Sequence, residues 1–202
     1  MSNSVNEILI IGLGLIGASI AKASKEKGII VHGYDIKKSV IKTAIEDNVI
    51  DQSIDSIEGL NNKSLIDKID LVIISVSPKA TQEIINQIPN LMNTKITITD
   101  TSSVKNHLKI SSISNFILSH PIAGSDKSGI ASLDQTLFEN KKTIICNPNN
   151  VEDVHLKKLT DFWKYAMQMR VSEMSVKEHD LLFAMTSHLP HLISYALIDS
   201  IR

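Results

Sequence analysis

The sequence predicts an α/β fold in which a mostly parallel, doubly wound sheet is followed by the start of an all-helical second domain. Short apolar runs alternate with helix-length segments along most of the 202-residue chain, which is the pattern of a parallel sheet covered by helices. A glycine-rich turn, Gly12–Gly17, directly follows the first apolar run. The alternation stops near Ser175, where one long apolar helix begins. We therefore predict a sheet domain over residues 1–174 and a helical segment over residues 175–202.

The individual elements follow from apolar runs and from the residues that end them. Strands are predicted at Glu7–Ile11, Ile29–Tyr34, Leu71–Val76, Lys95–Thr99, Phe116–Leu118, Thr143–Cys146 and Met169–Val171. Helices are predicted at Ile16–Lys27, Lys37–Asp47, from Pro78 onward, at Val151–Met167 and at Ser175–Ile201, the last with a kink at Pro190.

Composition narrows the classes of partner and compartment. The formal net charge is −1, so we expect neither a nucleic-acid nor a membrane-surface partner. The N-terminus has no signal-peptide pattern, and the apolar window Leu181–Ile201 includes His188, Pro190, His191 and Asp199, which disfavours a membrane span. The single cysteine, Cys146, ends an apolar run and is expected to be a buried strand residue in a reducing, cytoplasmic compartment.

The glycine-rich turn has the spacing of a dinucleotide-binding loop of the Rossmann type. Gly12 permits the tight turn, Gly14 lets the backbone approach a pyrophosphate, and Gly17 lets the helix pack on the strand. Leu15 and Ile16 complete the loop at the helix N-terminus, whose free N–H groups and dipole favour phosphate. The turn follows a predicted strand and opens a predicted helix, which makes a dinucleotide the expected cofactor.

Asp35 ends the second strand at about the spacing expected for a residue that binds ribose hydroxyls. A carboxylate there repels a 2′-phosphate, so we predict NAD rather than NADP. Lys37 and Lys38 could tolerate that phosphate, and an ordinary solvated turn residue is the alternative for Asp35. Three polar residues after later strands, for which turn or cap roles are the alternative, are further cofactor-binding candidates: Ser75, Ser77 and Thr101.

His120 is the main candidate for acid–base chemistry. It closes an apolar strand and precedes Pro121, so we expect it at the carboxyl edge of the sheet on the cofactor side. A dehydrogenase needs a group that takes the hydroxyl proton as hydride leaves, and histidine titrates near working pH. A structural histidine that bonds the backbone is the alternative.

Four blocks occur in an order that resembles the prephenate and arogenate dehydrogenase family: Gly12–Ser19 (GLGLIGAS), Asp100–Lys105 (DTSSVK), Ser119–Gly129 (SHPIAGSDKSG) and Ser187–His191 (SHLPH). The resemblance implies NAD-dependent oxidation of prephenate or arogenate with loss of carbon dioxide, in tyrosine biosynthesis. It also implies a Rossmann domain followed by a helical dimerisation domain. The last three blocks are more specific than the glycine loop.

Residue roles follow from the matching positions. His120 resembles the catalytic histidine, and Ser103 resembles the serine that orients that histidine and the substrate hydroxyl. The other residues that the resemblance places at the substrate are Gly124, Ser125, Lys127, His188 and His191. Lys105 and Lys127 are candidates for attracting substrate carboxylates, with solvated surface lysines as the alternative. We expect no metal, because no carboxylate or cysteine near His188 and His191 completes a ligand set.

The chain departs from the family at its end. The resemblance implies further helices and an arginine that holds a substrate carboxylate, but only Arg170 and Arg202 are present and neither matches. We therefore expect weak turnover and self-association, as a two-fold homodimer, through the apolar C-terminal helix. Two alternatives stay open: a non-catalytic NAD-binding module that associates through that helix, and a β-hydroxyacid-type dehydrogenase, which the Ser119–Gly129 block disfavours.

Overall fold

The computed structural model describes residues 5–57, 60 and 63–201. Arg202, which the sequence analysis singled out, lies outside the described residues. Numbered in chain order, the strands are β1 (Glu7–Ile11), β2 (Ile30–Tyr34), β3 (Gln52–Ser53), β4 (Leu71–Ile74), β5 (Thr97–Asp100), β6 (Phe116–Ile122), β7 (Lys142–Cys146) and β8 (Arg170–Glu173). The α-helices are α1 (Leu15–Glu26), α2 (Lys38–Glu46), α3 (Lys63–Ile66), α4 (Pro78–Gln87), α5 (Asp153–Asp161), α6 (Val176–Phe183) and α7 (Leu189–Ser200).

The strands form one eight-stranded sheet in the order β3-β2-β1-β4-β5-β6-β7-β8. All neighbouring pairs are parallel except β6 and β7, which are antiparallel. The predicted mostly parallel, doubly wound sheet is confirmed. The sequence did not predict β3, which has only two residues and no apolar run. It also did not predict that β7 runs antiparallel to β6, because an apolar run does not indicate the direction of its strand.

Strand β1 shows how the sheet is buried on both faces. Ile8 and Ile10 point into one apolar cluster, which also contains residues of α1 and the π turn Phe162–Ala166. Leu9 and Ile11 point into the opposite cluster, together with residues of α4. A strand buried on both faces reads as a continuous apolar run rather than an alternating one, which is why β1 and β4 could be predicted from the sequence.

The C-terminal segment is a helix over Val176–Ser200 in which a π turn, Ala184–His188, separates α6 from α7. Pro190 has no N–H, and its ring would collide with the carbonyl of Thr186 in a regular α-helix. The predicted irregularity at Pro190 therefore takes the form of a widened turn just before it. A capping box between Ser175 and Glu178 begins the helix, next to the predicted domain boundary, which itself stays a prediction.

This helix carries many exposed apolar side chains. Leu192 is 65% exposed, Tyr195 69% and Leu197 62%. Its length and composition also meet the criterion for a membrane-crossing helix, with a mean hydropathy of 1.4, although core helices of soluble proteins meet it too. The described residues leave most of its apolar surface uncovered.

Two glycines in the loop between β1 and α1 have no room for a side chain. A Cβ on Gly17 would lie 1.9 Å from the carbonyl oxygen of Gly12. A Cβ on Gly12, which has a φ of +96°, would lie 2.5 Å from the carbonyl oxygen of Ser75. Helix α1 therefore packs against the loop at backbone distance, as the glycine spacing predicts.

We expect Gly17→Ala to lower the free energy of unfolding by about 1–3 kcal/mol or more, because backbone atoms must move to relieve the overlap. Gly14→Ala is the matched control, since an added Cβ would face open space. Its cost should stay within about 1 kcal/mol, the range of an N-cap substitution. Urea unfolding followed by circular dichroism measures both, and equal losses for the two variants would contradict the packing argument.

Candidate active site

The glycine loop lies at the carboxyl edge of the sheet, where the chain order reverses. Strand β1 has β2 on one side and β4 on the other, so the connections after β1 and β4 leave in opposite directions. In open α/β sheets the ligand lies in the crevice at this switch point. The loop that begins at Gly12, the segment from Ser75 and the segment from Thr101 follow β1, β4 and β5 directly and line this crevice.

The start of α1 fits a pyrophosphate. Gly14 is the N-cap residue, and the position where its Cβ would be faces open space. Leu15 and Ile16 are half-buried in the first turn, where backbone N–H groups have no intrahelical acceptor. The first turn contains no acidic side chain that would oppose an anion. Free donors, the positive end of the helix dipole and an uncovered glycine together suit phosphate.

Asp35 holds the glycine loop in place. Its Oδ2 accepts a hydrogen bond from the Leu13 N–H at 2.9 Å, and its Oδ1 accepts one from the Lys37 N–H at 2.9 Å. The side chain is therefore fixed beside the loop and is not simply a solvated turn residue. A carboxylate has about four lone-pair sites, so its oxygens retain capacity for hydroxyl donors. The predicted ribose contact stays a prediction.

The polar residues after β4 and β5 divide into two kinds. The Thr101 hydroxyl donates to Ser75 Oγ at 3.1 Å, so these two candidates lie together across the crevice. Ser77 is instead the N-cap of α4, where its Oγ accepts from the Ala80 N–H at 3.5 Å. The cap role weighed as the alternative for Ser77 is thus present in the structure.

His120 lies inside β6, opposite Ile144 of β7, two positions before the strand ends. Its Nδ1 is 2.9 Å from Nε2 of His179, and the ring of Phe183 packs edge-on with a centroid distance of 4.7 Å. Burial lowers the pKa of His120 to about 3, and the neighbouring Lys105, His179 and His188 act in the same direction. The expectation of a histidine that titrates near working pH was wrong, because the surroundings favour the neutral ring.

Ser103, predicted to orient His120, is half-buried. Among the described residues it makes no hydrogen bond to His120, whose ring is held by His179 instead. Its predicted contact with the substrate hydroxyl stays a prediction.

Lys105 is neither a surface lysine nor free to bind a substrate carboxylate. The residue is 1% exposed. Its Nζ donates to Asp100 Oδ2 at 2.7 Å and to the Ser119 carbonyl at 2.6 Å. Both predicted alternatives for Lys105 were wrong, because its amine is buried and binds groups inside the protein. One of these groups is the carbonyl of Ser119, the residue directly before His120.

The other predicted substrate residues lie on two exposed segments, the loop after β6 and the C-terminal helix. Gly124, Ser125 and Lys127 belong to the exposed loop after β6, where the Lys127 N–H donates to Ser125 Oγ at 3.2 Å. His188 ends the π turn and His191 follows in α7, and both are exposed. His188 is near enough to His120 to influence its pKa. Among the described residues, no group of three or more His, Cys, Asp or Glu side chains could hold a metal ion.

Sequence reasoning missed His179 and Asp180. His179 Nδ1 lies 2.7 Å from Asp180 Oδ1, so a carboxylate stands behind the histidine that contacts His120. The adjacent His-Asp pair one turn after the Ser175 cap was the available signal. It carries no motif by itself, and only the docking of α6 against the sheet brings it to His120.

Comparison with known proteins agrees with this geometry. A family model described as the nucleotide-binding domain of prephenate dehydrogenase matches residues 20–171. The chain is 32% identical to a prephenate dehydrogenase of Lactococcus lactis over 96% of its own length, and 31% identical to a cyclohexadienyl dehydrogenase of Zymomonas mobilis over 96%. A crystal structure of prephenate dehydrogenase from Aquifex aeolicus, in complex with hydroxyphenyl propionate and NAD+, superposes with a TM-score of 0.88 at 31% identity, covering 99% of this chain and 70% of that one.

The matches cover most of this chain but only part of each relative. The chain spans 53% of the Lactococcus relative and 67% of the Zymomonas relative. The family model begins inside α1, so the glycine loop is assigned here from its own geometry. The matched region covers more than half of the chain and includes β2 to β7 with the His120 strand. The chain therefore belongs to the prephenate dehydrogenase family, of which it contains the nucleotide-binding domain.

Proposed function

We propose that this protein oxidises prephenate or arogenate with NAD and releases carbon dioxide, as part of tyrosine biosynthesis. The proposal rests mainly on His120, which is neutral and is oriented by His179. It lies on β6, the next strand in the chain after β5 at the nucleotide crevice. It is supported by the family and by the related Aquifex structure, whose own ligands are hydroxyphenyl propionate and NAD+.

The nucleotide is held by the chain's own loop and strand ends. Backbone N–H groups at the start of α1, around Gly14 and Leu15, bind the pyrophosphate. Asp35 accepts hydrogen bonds from the adenosine ribose, and Ser75 with Thr101 contacts the part of the cofactor that reaches across the crevice. When bound, NAD supplies the hydride acceptor of the reaction.

His120 takes the proton of the ring hydroxyl. As the substrate loses a hydride from the carbon that carries this hydroxyl, the O–H bond breaks and a bond forms between the proton and the histidine nitrogen. The O–H bonding electrons form a C=O bond at that carbon. The ring carboxylate then departs as carbon dioxide, its bonding electrons complete the aromatic ring, and the resulting phenolate oxygen takes the proton back from the histidine. The reaction thus needs positioning and one proton acceptor, and no covalent nucleophile.

The substrate is held by residues on both sides of His120. We assign Gly124, Ser125 and Lys127 of the loop after β6 to one side, and His188 and His191 of the C-terminal helix to the other. Lys127 is the exposed cation of this group and suits a carboxylate. Ser103 is assigned to the hydroxyl end of the substrate.

We further propose that the C-terminal helix forms a two-fold interface with a second copy of the chain, because its apolar face is exposed. A cytoplasmic location fits the single cysteine. Burial raises the pKa of Cys146 to about 11, so its thiol is unreactive.

We expect NAD to bind at least about tenfold more tightly than NADP, a difference of about 1.4 kcal/mol, because the Asp35 carboxylate repels a 2′-phosphate. Asp35→Asn should reduce this preference, while Asp55→Asn, the same change at an exposed site, should leave it unchanged. Calorimetric titration of both cofactors measures the ratio. Equal or tighter binding of NADP by the unaltered chain would overturn the assignment of Asp35.

We expect slow NADH formation from prephenate or arogenate when the protein is in excess over substrate. His120→Asn should lower the rate by roughly 10²–10⁴-fold, the range for a lost general base, with NAD affinity nearly unchanged. His107→Asn is the matched control at an exposed site. Absorbance at the NADH band follows the reaction. NAD binding without NADH formation from either substrate would overturn the proposed function in favour of a nucleotide-binding module.

We expect light scattering at micromolar concentration to give twice the mass of the chain. Leu192→Glu should shift the protein to monomer, because it places a charge on the apolar face of the helix. Tyr165→Glu, at a 63% exposed position outside that helix, should leave the dimer intact. A monomer in the unaltered chain, or binding to phospholipid vesicles instead of pairing, would contradict the interface.

A further inference from the structure

A line of hydrogen bonds, called here the relay, runs from His120 through His179 to Asp180. His120 Nδ1 lies 2.9 Å from His179 Nε2, and His179 Nδ1 lies 2.7 Å from Asp180 Oδ1. The side chain of His179 is fully buried and that of Asp180 is 21% exposed. The two residues belong to α6, and His120 belongs to β6.

The proton positions along this line follow from the carboxylate at its end. Burial acts to raise the pKa of Asp180, but hydrogen bonds from His179 and from the backbone N–H groups of Asn106 and Lys105 outweigh it and lower that pKa. An ionised carboxylate only accepts hydrogen bonds, so the proton lies on His179 Nδ1. Burial lowers the pKa of His179 and favours its neutral form, so Nε2 carries no proton.

The same reasoning assigns the proton position on the ring of His120. Because His179 Nε2 is an acceptor, His120 Nδ1 must be the donor between the two rings. A neutral imidazole carries one N–H, and burial keeps His120 neutral. The lone pair of His120 is therefore on Nε2, the nitrogen that a substrate hydroxyl needs.

The end of the line is rigidly held. Asp180 Oδ1 accepts from the Lys105 N–H at 3.0 Å, and Oδ2 accepts from the Asn106 N–H at 2.8 Å. Phe183 packs against both histidine rings, with centroid distances of 4.7 Å. Neither the carboxylate nor the rings can turn without losing these contacts.

Resting on the proposed function, we propose that His179 and Asp180 are positioning residues that set the tautomer of His120 and make its Nε2 the proton acceptor of the reaction. When His120 accepts the proton it becomes an imidazolium, close to the Lys105 amine, and the neighbouring His179 and His188 also disfavour a positive charge there. The Asp180 carboxylate, acting through His179, offsets that unfavourable charge.

The arrangement gives a sharp prediction for Asp180→Asn. The backbone N–H groups of Lys105 and Asn106 are donors, so an amide at this position turns its oxygen toward them and its NH₂ toward His179. His179 Nδ1 then becomes an acceptor, its Nε2 becomes a donor, and His120 Nδ1 must accept. The His120 proton moves to Nε2, and the catalytic lone pair is lost. Asp199→Asn makes the same change at an exposed site of α7 and should alter neither ring.

Nitrogen-15 NMR of labelled histidines reads these tautomers directly in the free protein, without substrate or NAD. We expect Nδ1–H on both rings in the unaltered chain and in Asp199→Asn, and Nε2–H on both rings in Asp180→Asn. The single-turnover rate of Asp180→Asn should fall by roughly 10²-fold or more, with the circular dichroism spectrum unchanged.

Two results would overturn the proposed role of His179 and Asp180. One is an Nε2–H tautomer of His120 in the unaltered chain. The other is a folded Asp180→Asn variant in which the His120 tautomer and the rate are both unchanged. The first measurement needs no variant, so a variant that does not fold leaves the relay testable. The tautomers are also independent of turnover. The relay is supported by its NMR pattern even if neither prephenate nor arogenate is oxidised, in which case the proposed function alone fails.

Discussion

The geometry of the site depends on one buried ion pair, between Lys105 and Asp100. Both side chains are fully buried, with Nζ and Oδ2 2.7 Å apart. The same amine binds the carbonyl of Ser119, directly before His120, and the backbone N–H of Lys105 binds Asp180. One residue therefore joins the end of β5, the strand of His120 and the start of the C-terminal helix. Removing one partner of such a pair costs about 3–5 kcal/mol, because the other charge stays buried.

His120 is neutral mainly because it is buried, and Lys105 adds to that effect. Burial and the Lys105 charge act in the same direction on the imidazole, so the uncharged ring is available as the base of the proposed reaction. The nucleotide crevice is built differently, from backbone N–H groups and a fixed Asp35. One part of the site thus attracts phosphate with helix-terminal donors, and the other part keeps a proton acceptor uncharged.

The sequence predicted the glycine loop and its place between β1 and α1, because these features are local. A glycine loop between an apolar run and a helix, with Asp35 after the next run, is a pattern of near neighbours. The chemical half is not local. Lys105 resembles a surface lysine in sequence, and nothing near it shows that its amine is buried. His179 reaches His120 only because α6 docks on the sheet, 59 residues further along the chain.

The central claim is that His120 Nε2 accepts the proton of the substrate hydroxyl. The most direct test is the nitrogen-15 resonance of that atom when 4-hydroxyphenylpyruvate, the product that the proposed oxidation of prephenate gives, is added together with NADH. We predict that the Nε2 signal of His120 shifts on binding as its lone pair accepts a hydrogen bond from the phenol, while the signals of His107 and His155 stay unchanged. Saturable binding of the product with no change at His120 would contradict this account.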